Sequence, residues 1–222
     1  MENQEKVWDE IALKWNNFRE IPSPSVSEFL SQRGSSIADG SKDKKCKVLD
    51  LGCGSGRNFS TISKEAELYG VDFSGEMLKY AEKKANSLRL NANFVKSRSN
   101  KLAFEDNFFD SVICVAVLHC IPDKKERLNT IKEIYRVLKR GESAFISVWG
   151  KNSPRLKNKS KECFVSWTVK SEKEFRGGEQ GIKKERYTYI YDLDELKKEF
   201  LEAGFFIDKA WEERNVNIIV RK

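Results

Sequence analysis

The sequence predicts an α/β protein whose sheet is doubly wound and mostly parallel, and two observations carry this prediction. Short runs rich in Val, Ile and Leu alternate with stretches of helical periodicity along most of the 222 residues, which is the pattern of βαβ units. The run 111–118 is almost entirely apolar, as expected of a strand that is buried on both faces of a parallel sheet. The length fits one α/β domain with its own hydrophobic core.

The chain begins with a predicted amphipathic helix over residues 7–18. Val7, Ile11 and Trp15 recur at a spacing of four residues, so they lie on one face of this helix. An aromatic residue at such a spacing is typical of core packing. A second helix is predicted over 26–32, because the prolines just before it fit the first turn of a helix.

The most specific motif is the segment 48–57, which reads VLDLGCGSGR. An apolar run leads into Gly52, Gly54 and Gly56, and the polar stretch 58–64 that follows is predicted to start a helix. Glycine tolerates positive φ and lets a ligand approach the backbone without a Cβ in the way. The first turn of a helix also offers unpaired N–H groups. The segment therefore predicts a nucleotide-type cofactor site at the carboxyl end of a parallel strand.

The spacing of the glycines and two acidic residues indicates which nucleotide would bind. A dinucleotide fingerprint, G-x-G-x-x-G, closes with a glycine, whereas Arg57 occupies that position here. Asp50 precedes the turn, and the predicted strand 68–72 ends at Asp72, 22 residues later, where a carboxylate can accept both ribose hydroxyls. The segment 48–57 with this distal acid resembles motif I and its acidic partner in class I S-adenosylmethionine-dependent methyltransferases.

That resemblance implies a seven-stranded Rossmann-like methyltransferase sheet with an antiparallel closing strand, an N-terminal helical lid and S-adenosylmethionine as the cofactor. In many relatives an acid after the third strand reaches the adenine amine, whereas this chain reads SRS at 97–99. The cofactor contacts implied by the resemblance are Trp15, Asp50, Gly52, Gly54, Gly56, Asp72, Phe73, Ser99 and Val115.

The elements after the segment 48–57 continue the alternation of strand and helix. Asp123, with an acid three residues later, is a helix N-cap pattern. It predicts a helix that runs to about Lys139 and stops near Gly141. The remaining predictions are a helix over 76–87, strands over 93–96, 111–118 and 143–149, an irregular loop marked by Gly177, Gly178 and Gly181, a helix over 193–203 that ends at Gly204, and two closing strands over 205–211 and 216–220.

The positive charge of the chain is concentrated in one segment. Residues 139–186 contain thirteen Lys or Arg and six Asp or Glu, an excess that equals the net charge of +7 of the whole chain. A basic face is the electrostatic footprint of a polyanionic partner such as a nucleic acid. A lysine-rich loop that is simply solvated has the same composition, so both interpretations stay open.

Further stretches resemble one subfamily, the tRNA wobble-uridine carboxyl methyltransferases, which esterify 5-carboxymethyluridine in the anticodon loop. They span nearly the whole chain and lie at 8–30, at 115–120 (VAVLHC), at 145–149 (FISVW), at 164–167 (FVSW), at 186–191 (RYTYIY) and at 213–215 (ERN). The chain departs from the subfamily pattern at Phe18, Ser23 and Cys120. The resemblance implies two partners, the tRNA anticodon loop and a small zinc-binding methyltransferase activator protein.

The chemistry of this subfamily suggests roles for particular residues. A carboxylate acceptor has a reference pKa of about 4, so it is already ionised at neutral pH and needs little acid–base catalysis. Arg19 offers a bidentate cation for such an acceptor, and His119 can hydrogen-bond it, so these are the predicted catalytic and substrate-binding residues. Trp149, Arg214 and Asn215 complete the predicted substrate site. The alternatives are a surface ion pair for Arg19 and a packed side chain for His119.

The whole chain, 1–222, is predicted as a single methyltransferase domain. Its parts are an N-terminal helical lid (1–33), a cofactor-binding core (46–150), a basic substrate-side insertion (151–187), and a closing helix with strands (188–222).

Composition and the N-terminus narrow the class of protein. No apolar run approaches the roughly 18 residues of a membrane span, and the N-terminus lacks the order of a secretory signal, so a cytoplasmic or nuclear protein is expected. Five cysteines without a C-x-x-C pair, and a single histidine, indicate neither a disulfide framework nor a zinc site. Two other functions stay open, a small-molecule methyltransferase and, because of Arg98, a catalytically silent scaffold of the same fold.

Overall fold

In the computed structural model, the described residues are 3–18, 20–34, 45–169 and 182–222. The helices are α1 (Gln4–Phe18), α2 (Pro24–Gly34), α3 (Gly75–Leu88), α4 (Lys124–Val137) and α5 (Leu193–Glu202). The strands are β1 (Lys47–Leu51), β2 (Glu67–Asp72), β3 (Asn91–Lys96), β4 (Phe109–Val115), β5 (Leu138–Trp149), β6 (Glu162–Val169), β7 (Ile182–Tyr189), β8 (Phe206–Glu212) and β9 (Asn215–Arg221). Within these ranges, no helix is long and apolar enough to cross a bilayer.

Seven strands form one sheet in the order β3-β2-β1-β4-β5-β9-β8. Neighbouring strands from β3 to β5 are parallel, whereas β9 is antiparallel to both β5 and β8. The predicted doubly wound, mostly parallel sheet is therefore confirmed, with its antiparallel strand inserted between β5 and β8. The strand order reverses between β1 and β4, and their carboxyl ends open the crevice in which sheets of this type bind ligands.

Strand β4 shows why the sheet is covered on both faces. Val112 and Cys114 pack into the cluster that contains residues of α4 and α5, whereas Ile113 packs with α2 on the opposite face. All three side chains are fully buried. Each buried aliphatic side chain of this size contributes about 1.5–3 kcal/mol relative to exposure, so helices on both faces stabilise the fold.

The helix predicted within 58–64 is wrong, because the chain between β1 and β2 makes only one 3₁₀ turn there. Gly56 has φ +81°, and a Cβ at this residue would lie 2.5 Å from the Phe59 ring. Phe59 is fully buried, and the Asn58 side-chain oxygen accepts a hydrogen bond from the Ser23 N–H at 3.2 Å. These tight contacts fold the segment into a turn, so the glycine loop has no α-helix N-terminus after it.

Two other boundaries differ from the predictions. Helix α4 ends at Val137 and β5 begins at once with Leu138, because Leu138 is fully buried and pairs with the first residue of β4. Gly141, with φ +79°, therefore lies within β5 and does not end a helix. Strand β4 ends at Val115, earlier than predicted, because Ala116 takes the left-handed conformation with φ +64°.

The basic stretch predicted as irregular contains two strands. β6 and β7 pair as a separate antiparallel two-stranded sheet. Their sequences, ECFVSWTV and IKKERYTY, are rich in the aromatic and β-branched residues that favour strands, but the surrounding lysines and glycines obscured this pattern. The three glycines of the predicted loop lie outside the described residues.

Candidate active site at the carboxyl edge of the sheet

A large cavity lies where the carboxyl ends of β1, β2, β4 and β5 meet. Gly52 and Gly54 follow β1, Asp72 ends β2, Val115 ends β4 and Trp149 ends β5, and all five line the cavity. This is the crevice that the strand order predicts. Phe73, Ser99 and Trp15, three more of the predicted cofactor contacts, also line it.

The glycine loop after β1 exposes backbone to the cavity. Gly52 and Gly54 have φ of +70° and +53°, a conformation that favours glycine. A Cβ on Gly52 would lie 2.2 Å from Val117 Cγ2, so this glycine is needed for close packing. A Cβ on Gly54 would meet nothing nearer than Trp15 Nε1 at 3.9 Å, so this residue leaves room for a ligand.

Asp72 is the buried acid of the cavity. Its Oδ2 accepts a hydrogen bond from the Gly54 N–H at 2.8 Å and its Oδ1 accepts one from the Ser74 N–H at 2.9 Å. Burial raises the pKa of Asp72 to about 6, although these backbone hydrogen bonds oppose the shift. Each carboxylate oxygen has further acceptor capacity. The acid and the bare glycine loop beside it fit the ribose hydroxyls of an adenosine cofactor.

Two predicted cofactor contacts do not line the cavity. Asp50 lies within β1 and is 2% exposed. Its pKa is raised to about 8, mainly by burial and secondly by the negative charge of the neighbouring Asp72. Gly56 faces the ring of Phe59. Their cofactor contacts stay predictions, since Asp50 is buried within β1 and a Cβ at Gly56 would overlap Phe59.

Helix α1 forms part of the cavity wall, to which it contributes Trp8 and Trp15. On one side, Asp9 Oδ1 accepts hydrogen bonds from the Ser74 hydroxyl at 2.5 Å and from the N–H of Glu76 in the first turn of α3 at 3.2 Å. On the other side, Gln4 Oε1 accepts the N–H of Tyr187 of β7 at 3.1 Å. These hydrogen bonds fix α1 against α3 and β7 at the wall of the cavity.

The substrate residues predicted at the ends of β4 and β5 lie together. His119 is 2% exposed, and its ring stacks on Trp149 with centroids 4.9 Å apart. His119 Nδ1 accepts the backbone N–H of Trp149 at 3.2 Å, so the neutral ring carries its proton on Nε2. Asn215 also lines the cavity and donates through Nδ2 to the Ser147 hydroxyl at 3.2 Å.

Two other predicted substrate residues are not part of this group. Arg214 is exposed on the turn between β8 and β9 and does not line the cavity, because the chain reverses there and directs it to solvent. Arg19 lies outside the described residues.

Arg186 is a functional candidate that the sequence analysis missed. It lies on β7, lines the cavity and is 3% exposed. Its guanidinium carbon is 5.0–5.7 Å from four tryptophan ring centroids, and burial lowers its pKa from the ordinary value. The stretch RYTYIY contains this arginine, but a loop prediction offered no reason to bury it. We call His119, Trp149, Asn215 and Arg186 the β4–β5 end of the cavity.

The opposite wall contains the residues that replace the acid expected after the third strand. Ser99 Oγ lies 3.0 Å from Thr130 Oγ1, and Arg98 is an exposed residue of the cavity wall. Asn100 and Glu126 also line the cavity, and sequence reasoning placed neither of them at the site. Polar groups therefore line the cavity after β3, although they differ from the acid that the resemblance implies there.

Comparisons with known proteins agree with this geometry. A family model described as a methyltransferase domain matches residues 42–195. A tRNA (carboxymethyluridine(34)-5-O)-methyltransferase of Schizosaccharomyces pombe is 25% identical over 93% of this chain and 92% of its own length. A protein of the same name from Xenopus tropicalis is 29% identical over 70% of this chain, which spans only 22% of that longer protein.

A solved structure shares the fold. The crystal structure of an S-adenosylmethionine-dependent methyltransferase from Clostridium acetobutylicum superposes with a TM-score of 0.68 over 88% of this chain and 91% of that one, at 18% identity. The glycine loop, the buried acid and the covered crevice have the chemistry that such a cofactor needs. The family model covers more than half of the chain, so the chain belongs to the methyltransferase-domain family.

Proposed function

We propose that this enzyme methylates the carboxyl group of 5-carboxymethyluridine at the wobble position of tRNA. The similarity to the S. pombe protein, which extends over nearly the full length of both chains, supports this substrate. The observation that carries the proposal is the hydrogen bond from the Trp149 N–H to His119 Nδ1. Because it occupies that nitrogen, His119 presents a donor rather than a base, which suits an acceptor that is already anionic.

The other titratable group beside His119 supports the same reading. Burial raises the pKa of the Cys120 thiol to about 12, so Cys120 stays protonated at neutral pH. A carboxylate acceptor needs no base, since its reference pKa is about 4. Positioning then supplies most of the rate.

The residues have separate tasks in the proposed reaction. When bound, S-adenosylmethionine supplies a methyl group that its sulfonium makes electrophilic. Asp72 accepts hydrogen bonds from ribose hydroxyls, and Gly54 leaves room beside them. His119 donates from Nε2 to the acceptor. The tRNA substrate, the activator protein and the cytoplasmic or nuclear location belong to the proposal.

The test is single-turnover methyl transfer to tRNA that carries 5-carboxymethyluridine, followed by mass spectrometry of the nucleosides. We expect transfer to this tRNA, none to the same transcript with unmodified uridine, and, at saturating cofactor, a rate that is flat between about pH 6 and 8. His119→Asn should keep part of the rate, because the amide still donates. A rate that rises tenfold per pH unit and is lost in His119→Asn would identify His119 as a base and overturn the proposal. Methyl transfer to a metabolite extract but not to tRNA would favour a small-molecule enzyme instead.

The basic segment is expected to contact tRNA phosphates. Lys151, Lys157 and Lys159 are exposed and lie before β6. Replacing all three with Glu should weaken tRNA binding and lower the slope of log K against log salt by about 2, because each phosphate contact contributes about 0.7–0.9. Fluorescence anisotropy at several salt concentrations measures this slope.

A charge-matched variant supplies the control for this prediction. Lys64, Lys83 and Lys132 are also exposed, but they lie in other parts of the chain. Lys161 is left unchanged, because it forms ion pairs with Asp192 and Glu195 that hold β6 near α5. An equal drop in slope for the Lys64, Lys83 and Lys132 triple would show that only net charge matters and that the segment is merely solvated.

A further inference from the structure

Arg186 occupies an unusual position for a charged side chain. The rings of Trp8, Trp15, Trp149 and Trp167 surround its guanidinium, with centroid distances of 5.4, 5.0, 5.7 and 5.2 Å. These tryptophans come from α1, from the end of β5 and from β6. We call this arrangement the tryptophan cage. Its faces stabilise a cation by cation–π attraction but offer no hydrogen-bond acceptor.

Part of the hydrogen-bonding capacity of Arg186 is not used within the described residues, because its Nε and Nη2 are buried and lack a hydrogen-bond partner there. Burial is the main influence on the pKa of Arg186, which it lowers. The Cys120 thiol and Arg155 act on it less, and neither is an anion at neutral pH. Leaving buried donors of a charged group unpaired is costly, so such groups usually have a partner. The partner expected here is an anion that enters the cavity.

We propose that Arg186 binds the carboxylate of the methyl acceptor. This inference rests on the proposed function and names the residue that recognises the substrate's charge. A guanidinium forms two parallel hydrogen bonds with a carboxylate or a phosphate, and a carboxylate is the anion of the proposed uridine side chain. The location agrees, because Trp149 contacts both Arg186 and His119, so one acceptor can meet the arginine and the His119 donor together.

The cofactor brings a carboxylate of its own, and the cavity holds a different arginine near the glycine loop. Arg57 lines the cavity directly after that loop, and its Nε donates to the Ile21 carbonyl at 2.6 Å. Arg186 lies instead at the β4–β5 end. Among the described residues, three arginines line the cavity: Arg57 after the glycine loop, the exposed Arg98 after β3, and the buried Arg186. We assign the one in the tryptophan cage to the acceptor.

The methyl transfer changes what Arg186 holds. A carboxylate oxygen of the acceptor forms a bond to the methyl carbon, the carbon–sulfur bond breaks, and its electron pair stays on sulfur. The anion becomes a neutral ester, and no proton is exchanged. Arg186 thus binds the substrate more tightly than the product, which favours release of the methylated tRNA and excludes acceptors with a neutral side chain.

The experiment compares Arg186→Gln and Arg186→Lys with Arg89→Gln, a control that removes an exposed charge outside both the basic segment and the cavity lining. The measurements are the cofactor Kd by calorimetry, and kcat and KM for tRNA that carries 5-carboxymethyluridine. A competitor tRNA carries the neutral carbamoylmethyluridine. We expect Arg186→Gln to raise KM by about 30-fold or more, since loss of one partner of a buried charge pair has an effect of this size. The wild type should prefer the anionic tRNA over the competitor, and Arg186→Gln should lose this preference.

The conservative variant and the control sharpen the test. Arg186→Lys keeps the charge but loses the fork, so it should recover part of the preference for the carboxylate. Cofactor affinity should be unchanged in all variants, and Arg89→Gln should leave KM for the acceptor within about twofold, as expected for exposed charges. Wild-type discrimination between the two tRNAs does not depend on how any variant folds.

Each contrary outcome has its own meaning. Failure of the wild type to methylate the carboxymethyluridine tRNA overturns the proposed function. Transfer by the wild type without discrimination against the neutral competitor, or with unchanged KM in Arg186→Gln, overturns only the role of Arg186. A raised cofactor Kd with unchanged acceptor KM would place the cofactor's own carboxylate at Arg186 and would overturn the inference as well.

Discussion

Replacement of Asp72 with Ala is expected to weaken S-adenosylmethionine binding by about 1.5–3 kcal/mol, or roughly 10- to 150-fold, the usual cost of losing hydrogen bonds to a charged group. The change also leaves the N–H groups of Gly54 and Ser74 without their acceptors. Calorimetric titration of the folded variant with the cofactor measures the effect.

Asp72→Asn is a matched test of charge and geometry. The amide keeps the size of the side chain, but one of its ends becomes an NH₂ donor that faces a backbone N–H, so it should not restore binding. Unchanged cofactor affinity in either folded variant would remove Asp72 from the site.

The same carboxyl predicts a pH dependence of cofactor binding. Its pKa is about 6 in the folded chain, above the ordinary value of 3.8, and only the ionised form accepts both ribose hydroxyls. The cofactor Kd should therefore rise by about tenfold between pH 7 and pH 5 in the wild type and much less in Asp72→Ala.

Protonation of Asp72 does not itself destabilise the fold over this pH range. Because the folded state binds this proton more tightly than the unfolded state, the contribution of Asp72 to the free energy of unfolding increases as pH falls from about 6 towards 3.8. The weaker cofactor binding at pH 5 is therefore expected of the folded protein, because protonation of Asp72 at this pH stabilises the folded state.

The second large effect is expected at Gly52. An Ala at this position must keep φ near +70° and would place its Cβ 2.2 Å from Val117 Cγ2. The left-handed conformation costs about 1–2 kcal/mol and the overlap about 1–3 kcal/mol more. Chemical denaturation should show that Gly52→Ala lowers the free energy of unfolding by about 2–5 kcal/mol.

Gly54 and Val117 supply the controls for that prediction. Gly54 also has positive φ, but a Cβ there meets no atom closer than 3.9 Å. Gly54→Ala should therefore lose only about 1–2 kcal/mol of stability, while it weakens cofactor binding because the methyl group enters the cavity. In a double-mutant cycle, Val117→Ala should recover the part of the stability loss in Gly52→Ala that comes from steric overlap. It should not recover the part that comes from the left-handed backbone conformation. Equal stability losses at the two glycines would contradict the steric argument.

Local features of the chain were predictable because neighbours within a few residues decide them. Asp123 was predicted to cap a helix, and its carboxylate accepts the Glu126 N–H at 2.8 Å. The apolar run of β4 identified a strand that is buried on both faces, and the spacing of Gly52, Gly54 and Asp72 placed a cofactor loop beside an acid. Each of these inferences depends on backbone conformation or periodicity, which a short stretch of sequence carries by itself.

The errors came where distant residues override local preference. The stretch 58–64 has the polar start of a helix, but buried Phe59 and the contact of Asn58 with Ser23 hold it as a turn. In β7, the lysines resemble a solvated loop, whereas pairing with β6 organises them as a strand. Local propensity is a fraction of a kcal/mol per residue for most residues, which tertiary packing readily exceeds.

By itself, the sequence determined the doubly wound sheet, the cofactor loop and the acid that follows it, because these depend on periodicity and on residues close together in the chain. Only the tertiary structure decided which charged groups the cavity contains. Asp50 and Asp72 look alike in the sequence, yet one lies inside the sheet and the other in the cavity wall. Arg186 becomes a recognition residue only because tryptophans from three distant parts of the chain surround it. Burial and electrostatic environment arise from contacts between remote segments, so no local pattern could reveal them.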